Sequence, residues 1–138
     1  MLLNQTAVYG LRAMAILADL AAGETLNAEA LSERTHVPRQ YLSKVMRKLV
    51  VGKLVVARRG HGGGFCLARP ARSIRLADVL HALDLELGGG CAFGFESCDA
   101  KHPCLLHPIW SRLQASLDEW ANGCTLASPP AGPTTRRR

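Results

Sequence analysis

Between Glu33 and Asp78 the chain has no acidic residue. The same stretch holds Arg34, Arg39, Lys44, Arg47, Lys48, Lys53, Arg58, Arg59, Arg69, Arg72 and Arg75. A solvated surface usually mixes both signs of charge. One sign over such a length suits a polyanionic partner, DNA or RNA. Acidic residues gather later, at Asp78, Asp84, Glu86, Glu96, Asp99, Asp118 and Glu119. Over all 138 residues, 17 Lys and Arg stand against 11 Asp and Glu, a net charge of +6.

Other absences narrow the class. No apolar run approaches the length of a membrane-spanning helix, so no membrane partner is expected. No secretory signal pattern opens the chain, which points to the cytoplasm, where thiols stay reduced. Five cysteines is an odd number, and 48% hydrophobic residues supply the core of one domain without disulfide staples. The glycine-rich stretch 60–64 is followed by neither Lys-Ser/Thr nor a helix start, so it is not a nucleotide P-loop. No nucleophile, base and oxyanion set is legible, so the chain does not read as an enzyme.

What is present reads in order. Asn4 or Thr6 caps a first helix over residues 4–22, with Val8, Leu11, Met14, Leu17 and Ala18 at helical spacing and Gly23 to end it. Asn27 caps a second helix that runs to about Arg34. After a turn at residues 35–37, a third helix opens on Pro38 and ends near Val51. Leu42, Val45, Met46, Leu49 and Val50 face inward, leaving Arg39, Gln40, Tyr41, Ser43, Lys44, Arg47 and Lys48 for the other faces. Two short helices with a tight turn, the second basic outside, form the helix-turn-helix pattern. A helical hairpin in a bundle would look similar, but the next stretch favours the first reading. Strands at 54–57 and 65–68 flank a tip carrying Arg58, Arg59 and His61 on a bed of glycine, which is a wing. Ser73 is placed to cap a fourth helix. A last helix begins near Pro108, and its stripe of Ile109, Leu113, Leu117 and Trp120 suits a dimer contact or packing on the first helix.

Residues 91–107 lack helical or strand periodicity but hold Cys91, Cys98 and Cys104, with His107 three positions after the last. Three thiolates and one imidazole suit an iron–sulfur cluster or zinc. Buried thiols, or a metal-free thiol switch, are the plainer alternatives. Cys66 and Cys124 are isolated and read as packed thiols. The chain thus reads as mainly α with a small β-hairpin: a winged helix-turn-helix DNA-binding region at 1–85, a cysteine-rich loop at 86–107, a dimerisation helix at 108–126 and a disordered tail at 127–138.

Several pieces in order resemble the IscR/NsrR-type family of iron–sulfur winged helix-turn-helix transcription regulators. They are Leu3 with Tyr9-Gly10-Leu11-Arg12-Ala13, the Arg-Arg-Gly-His-Gly-Gly-Gly-Phe run at 58–65, Ser73-Ile74 with Asp78-Val79, the three loop cysteines, and Cys104-Leu-Leu-His107 with Trp110. The resemblance covers residues 1–126. It implies a homodimer on a palindromic operator in double-stranded DNA, with Arg59 and the residues near Arg39, Gln40 and Ser43 meeting the DNA. It implies a [2Fe–2S] cluster on Cys91, Cys98, Cys104 and His107; [4Fe–4S] stays open, and the ligand types themselves also suit zinc. Several relatives use a carboxylate from the first helix as the remaining ligand. Val8 stands at the matching position and cannot ligate, which shifts weight to His107 and leaves Glu96, Asp99 and His102 as the other candidates in the loop.

Overall fold

The computed structural model describes residues 3–87 and 101–127. Its elements are α1 (Gln5–Ala18), α2 (Ala28–Thr35), α3 (Arg39–Val51), β1 (Val55–Arg58), β2 (Gly64–Leu67), α4 (Leu76–Ala82) and α5 (His107–Gly123). A short 3-10 turn at Ala71–Ser73 precedes α4. This is the mainly α fold with one hairpin that the sequence pattern calls for. Cys91, Cys98, the glycines at 88–90 and the tail from 128 onward lie outside the described residues.

Two asparagines start the first two helices. The Ala7 N–H donates to Asn4 Oδ1 at 2.8 Å, and the Ala30 N–H donates to Asn27 Oδ1 at 2.8 Å. Each bond satisfies a donor that the helix itself leaves without an acceptor. α1 ends about one turn earlier than the sequence expectation of residue 22. Glu24 accepts the Ala21 N–H through its carboxylate at 3.3 Å, a donor that a longer helix would have bonded to Leu17. Gly23 then takes a positive φ of 83° in the turn rather than at the helix end.

The turn between α2 and α3 is built by side chains. Thr35 Oγ1 donates to the Leu31 carbonyl at 2.6 Å, and Ser32 Oγ donates to the Val37 carbonyl at 2.6 Å. His36 stands between them in the left-handed region at φ 57°, and Val37 is buried. Pro38 then occupies the N-cap of α3. Leu31, Val37, Leu42, Val45, Met46 and Leu49 pack with Met14 and Leu17 of α1 in the main core.

The wing is an antiparallel pair with Val55 opposite Leu67 and Arg58 opposite Gly64. A third stretch joins it that sequence periodicity does not reveal. The Leu26 N–H donates to the Phe65 carbonyl at 3.0 Å, and the Phe65 N–H donates to the Leu26 carbonyl at 2.7 Å. Thr25 Oγ1 also donates to the Gly62 carbonyl at 2.7 Å. Close approach of this stretch explains Gly64, which has φ 149° and where a Cβ would lie 2.5 Å from the Leu26 carbonyl.

The fourth helix starts later than expected, and Ser73 does not cap it. Ser73 Oγ donates to the Pro70 carbonyl at 2.7 Å, while Asp78 accepts the Arg75 N–H at 2.9 Å. Buried Ile74 is extended because it pairs with the chain end: the Leu126 N–H donates to the Ile74 carbonyl at 3.0 Å, and the Leu76 N–H donates to the Cys124 carbonyl at 3.0 Å. These bonds clasp the end of α5 to the start of α4. Ala121 of α5, Leu80 of α4 and Ala7 of α1 form a second small core.

The Leu26–Phe65 approach yields a test. Gly64→Ala should destabilise the fold by about 2 kcal/mol or more, because strain and a backbone clash coincide there. Urea unfolding of the variant beside the parent, followed by circular dichroism, measures the change.

Candidate nucleic-acid interface and cysteine segment

Leu42, Val45, Met46 and Leu49 are buried, and their spacing fixes which way α3 faces. Arg39, Gln40, Tyr41, Ser43, Lys44, Arg47 and Lys48 are all exposed as a result. Val50, expected to face inward, is only half-buried. Two of the outer side chains are already engaged within the chain. Ser43 Oγ donates to the Arg39 carbonyl at 3.0 Å, and Lys48 Nζ meets Asp84 Oδ2 at 2.7 Å. The Lys48 contact spans 36 positions in the chain, and no local pattern announces it.

At the wing tip Arg58, Arg59 and His61 are exposed. Backbone geometry holds the tip tight: the Gly63 N–H donates to the Gly60 carbonyl at 2.9 Å, and a Cβ at Gly63 would lie 2.5 Å from the Arg58 carbonyl. Since Leu26 just precedes Asn27, the same bridge that positions β2 positions the start of α2. The wing and the helix-turn-helix are therefore one rigid frame.

Three charged groups are shifted from their ordinary values. Hydrogen bonding to the Arg75 side chain lowers the Asp78 pKa most, partial burial opposes it, and the Arg75 N–H and the charges of Arg75 and Arg69 assist. Arg75 is raised in turn by its hydrogen bond and charge contact with Asp78. Asp84 is lowered by its hydrogen bond to Lys48 and by that lysine's charge.

Of the cysteine segment, Cys104 and His107 are described. Cys104 is an exposed free thiol, and His107 is half-buried as the first residue of α5. The His107 N–H donates to the Cys104 carbonyl at 3.1 Å, so both lie on one turn. A soft sulfur donor and an imidazole adjoin there, a donor pair that fits an iron–sulfur cluster or zinc. Among the described residues alone, no three metal-ligating side chains converge. Cys66 and Cys124 are half-buried thiols, as the sequence suggests. Val8 is half-buried in α1. Along α5, Ile109 is 72% exposed and Leu113 42%, while Ala121 is buried. That face of α5 is presented to solvent, even as Ala121 meets Ala7 of α1.

A helix-turn-helix braced to a hairpin, with both outer surfaces cationic, defines a winged helix-turn-helix protein. Comparison with known proteins specifies it further. The family model of Rrf2, the iron-dependent transcriptional regulators, matches residues 3–128, and the chain belongs to that family. It is 32% identical over 120 residues to an HTH-type transcriptional regulator of Neisseria meningitidis, covering 87% of this chain and 81% of that one. It is 33% identical over 97 residues to the HTH-type transcriptional regulator IscR of Sodalis glossinidius, covering 70% of this chain and 59% of that one. Among solved structures, T. potens IscR matches with a TM-score of 0.70 at 26% identity, over 91% of this chain and 82% of that one. CymR, the global cysteine regulator of B. subtilis, matches the fold with a TM-score of 0.75 at 22% identity, over 90% and 92%. The protein is a transcription regulator, a DNA-binding class, and not an enzyme. No helix among the described residues is long and apolar enough to cross a membrane.

The Asp78 environment predicts a pH dependence. A carboxyl whose folded pKa is depressed contributes stability that is fully present above its unfolded pKa, about 3.9, and is lost as pH falls through the lower folded value. Asp78→Asn should therefore unfold more easily than the parent above about pH 5. The gap should close in stronger acid. Urea midpoints of both proteins between neutral pH and the acid limit test this.

Proposed function

We propose that the chain is a homodimeric regulator of a palindromic operator, with DNA affinity set by an iron–sulfur cluster. The observation that carries the DNA half is the acid-free outer face of α3 beside the arginine-tipped wing, both exposed and held in one frame. Residues 1–85 form the DNA-binding region. Arg39, Gln40, Tyr41, Ser43, Lys44 and Arg47 enter the major groove or meet its phosphates, and Arg58, Arg59 and His61 meet the backbone or the adjacent minor groove. The exposed stripe of α5 supplies the dimer contact within residues 108–126. Two subunits then present two recognition helices to half-sites about one helical turn apart. Residues 127–138 form an arginine-ended tail that adds sequence-blind attraction to DNA.

Within residues 86–107, Cys91, Cys98, Cys104 and His107 would hold the cluster, [2Fe–2S] by the resemblance to the IscR/NsrR-type regulators. When bound, a cluster supplies a centre that responds to oxidants and nitric oxide. The chain's own part is mechanical. His107 begins α5 three residues after Cys104, and α5 is clasped to the start of α4. The end of α4 meets α3 where Ala82 faces Gly52, and just past the helix Asp84 pairs with Lys48. A constraint on Cys104 and His107 thus bears on the placement of the recognition helix, and affinity for paired half-sites is sensitive to that placement. A second reading keeps the DNA binding and makes the exposed Cys104 thiol part of a zinc site or a metal-free thiol switch.

The DNA reading is tested by binding to duplex fragments at several salt concentrations. Arg59→Ala should weaken binding, and Arg47→Ala should reduce the salt slope by about one. Equal binding by both variants and the parent would remove this reading.

Purification without oxygen tests the cluster. Visible charge-transfer bands with near-equal iron and sulfide are expected, and Cys104→Ala should bleach them. Colourless protein with one zinc per chain selects the zinc site, and colourless metal-free protein selects the thiol switch. Equal operator affinity with and without the cluster would sink the sensing mechanism.

A further inference from the structure

We propose that the notch between the start of α1 and the edge of α3 is a phosphate subsite, which makes α1 a third DNA-contacting element beside α3 and the wing. The proposal rests on the DNA-binding reading above and extends its footprint. The notch is a cavity of about 220 Å³ lined by Gln5, Thr6, Tyr9, Tyr41, Lys44 and Lys48, with buried Val45 beneath. That volume lies below the range of drug-sized ligand pockets and suits a small group.

Two lysines, Lys44 and Lys48, are among the residues that line it. Tyr41 is 50% exposed at the rim. Gln5 Nε2 donates to the Tyr9 hydroxyl oxygen at 2.6 Å, which uses an acceptor position and leaves the phenolic hydrogen to donate elsewhere. Asn4 caps the Ala7 N–H, and Gln5 and Thr6, the first two residues of α1, line the notch. They add the positive end of a 14-residue helix to the same notch.

Among the described residues no carboxylate lines the cavity. The acid at its border is Asp84, which holds Lys48 at 2.7 Å. Both partners of that pair are well exposed, so the contact is weak enough for a phosphate to take Lys48 from Asp84. Asp84 is then a competitor of the DNA backbone, and its removal should strengthen binding. A merely structural role for the notch would not produce that gain.

The test measures fluorescence anisotropy of a labelled duplex with full-length protein, with Arg59→Ala as the wing control. Tyr9→Phe should weaken binding about tenfold, the loss of one hydrogen bond to a charged group. Lys48→Ala should lower the salt slope by about 0.9. Asp84→Asn should tighten binding about two- to fivefold. Thermal melts of all variants check that the fold is kept. If Arg59→Ala weakens binding while Tyr9→Phe and Asp84→Asn bind like the parent, the notch is rejected and the DNA reading stands. If Arg59→Ala also binds like the parent, the DNA reading itself fails. Inorganic phosphate provides the last arm. Saturation by it that duplex DNA does not displace would overturn the backbone assignment in favour of a free anion.

Discussion

Burying Leu42, Val45, Met46 and Leu49 against α1 and α2 orients everything else about α3. Each fully buried side chain of this size contributes about 1.5–3 kcal/mol, so the stripe outweighs any mutual repulsion among the exposed lysines and arginines on the other side. A helix this short and this basic would hold little structure alone. It exists because its apolar side is needed by the core, and the cationic side is then turned outward by default. The absence of acids from residues 34–75 costs the fold little because burial, not surface pairing, holds this region.

α4 is the shortest of the described α-helices, yet it packs on α1, α3 and α5. At Gly10 of α1, a Cβ would collide with the Leu83 side chain just past α4. At Gly52, which closes α3, a Cβ would lie 2.8 Å from the Ala82 Cβ. Leu80 meets Ala121 of α5, and Asp84 meets Lys48 of α3. Such close approach leaves little slack between α4 and its neighbours, and packed elements without slack shift together. The path from α5 through α4 to α3 is short for this reason.

Much of the fold was legible in the sequence because it is written in local rules. Asn4, Asn27 and Pro38 mark helix starts by their own chemistry, and the α3 stripe shows at helical spacing. Apart from the early end of α1, where Glu24 takes the nearby Ala21 N–H, the misses share one cause, which is pairing between residues far apart in the chain. The Leu26–Phe65 bridge, the Ile74–Leu126 clasp and the Lys48–Asp84 pair leave no periodic trace. The clasp is also why Ser73 misled as a cap: Ile74 is drawn into extended pairing, and the helix waits for Arg75 and Asp78. Among candidate site residues, the basic ones on α3 and the wing were legible from charge and position. Lys48's engagement and the part α1 plays in the notch were not, since both depend on how α1, α3 and α4 meet.

The clasp between residues 74–76 and 124–126 closes α4, the cysteine segment and α5 into a ring on the side of the core. The stretch between Leu87 and Lys101 is thus anchored at both ends by structure that does not depend on its length. Doubling the length of a connection between two anchored ends costs only about 0.6 kcal/mol in closure entropy. The segment between those ends is therefore an exchangeable cassette. A lineage could lengthen it, shorten it or replace its cysteines and keep the same helix-turn-helix and wing.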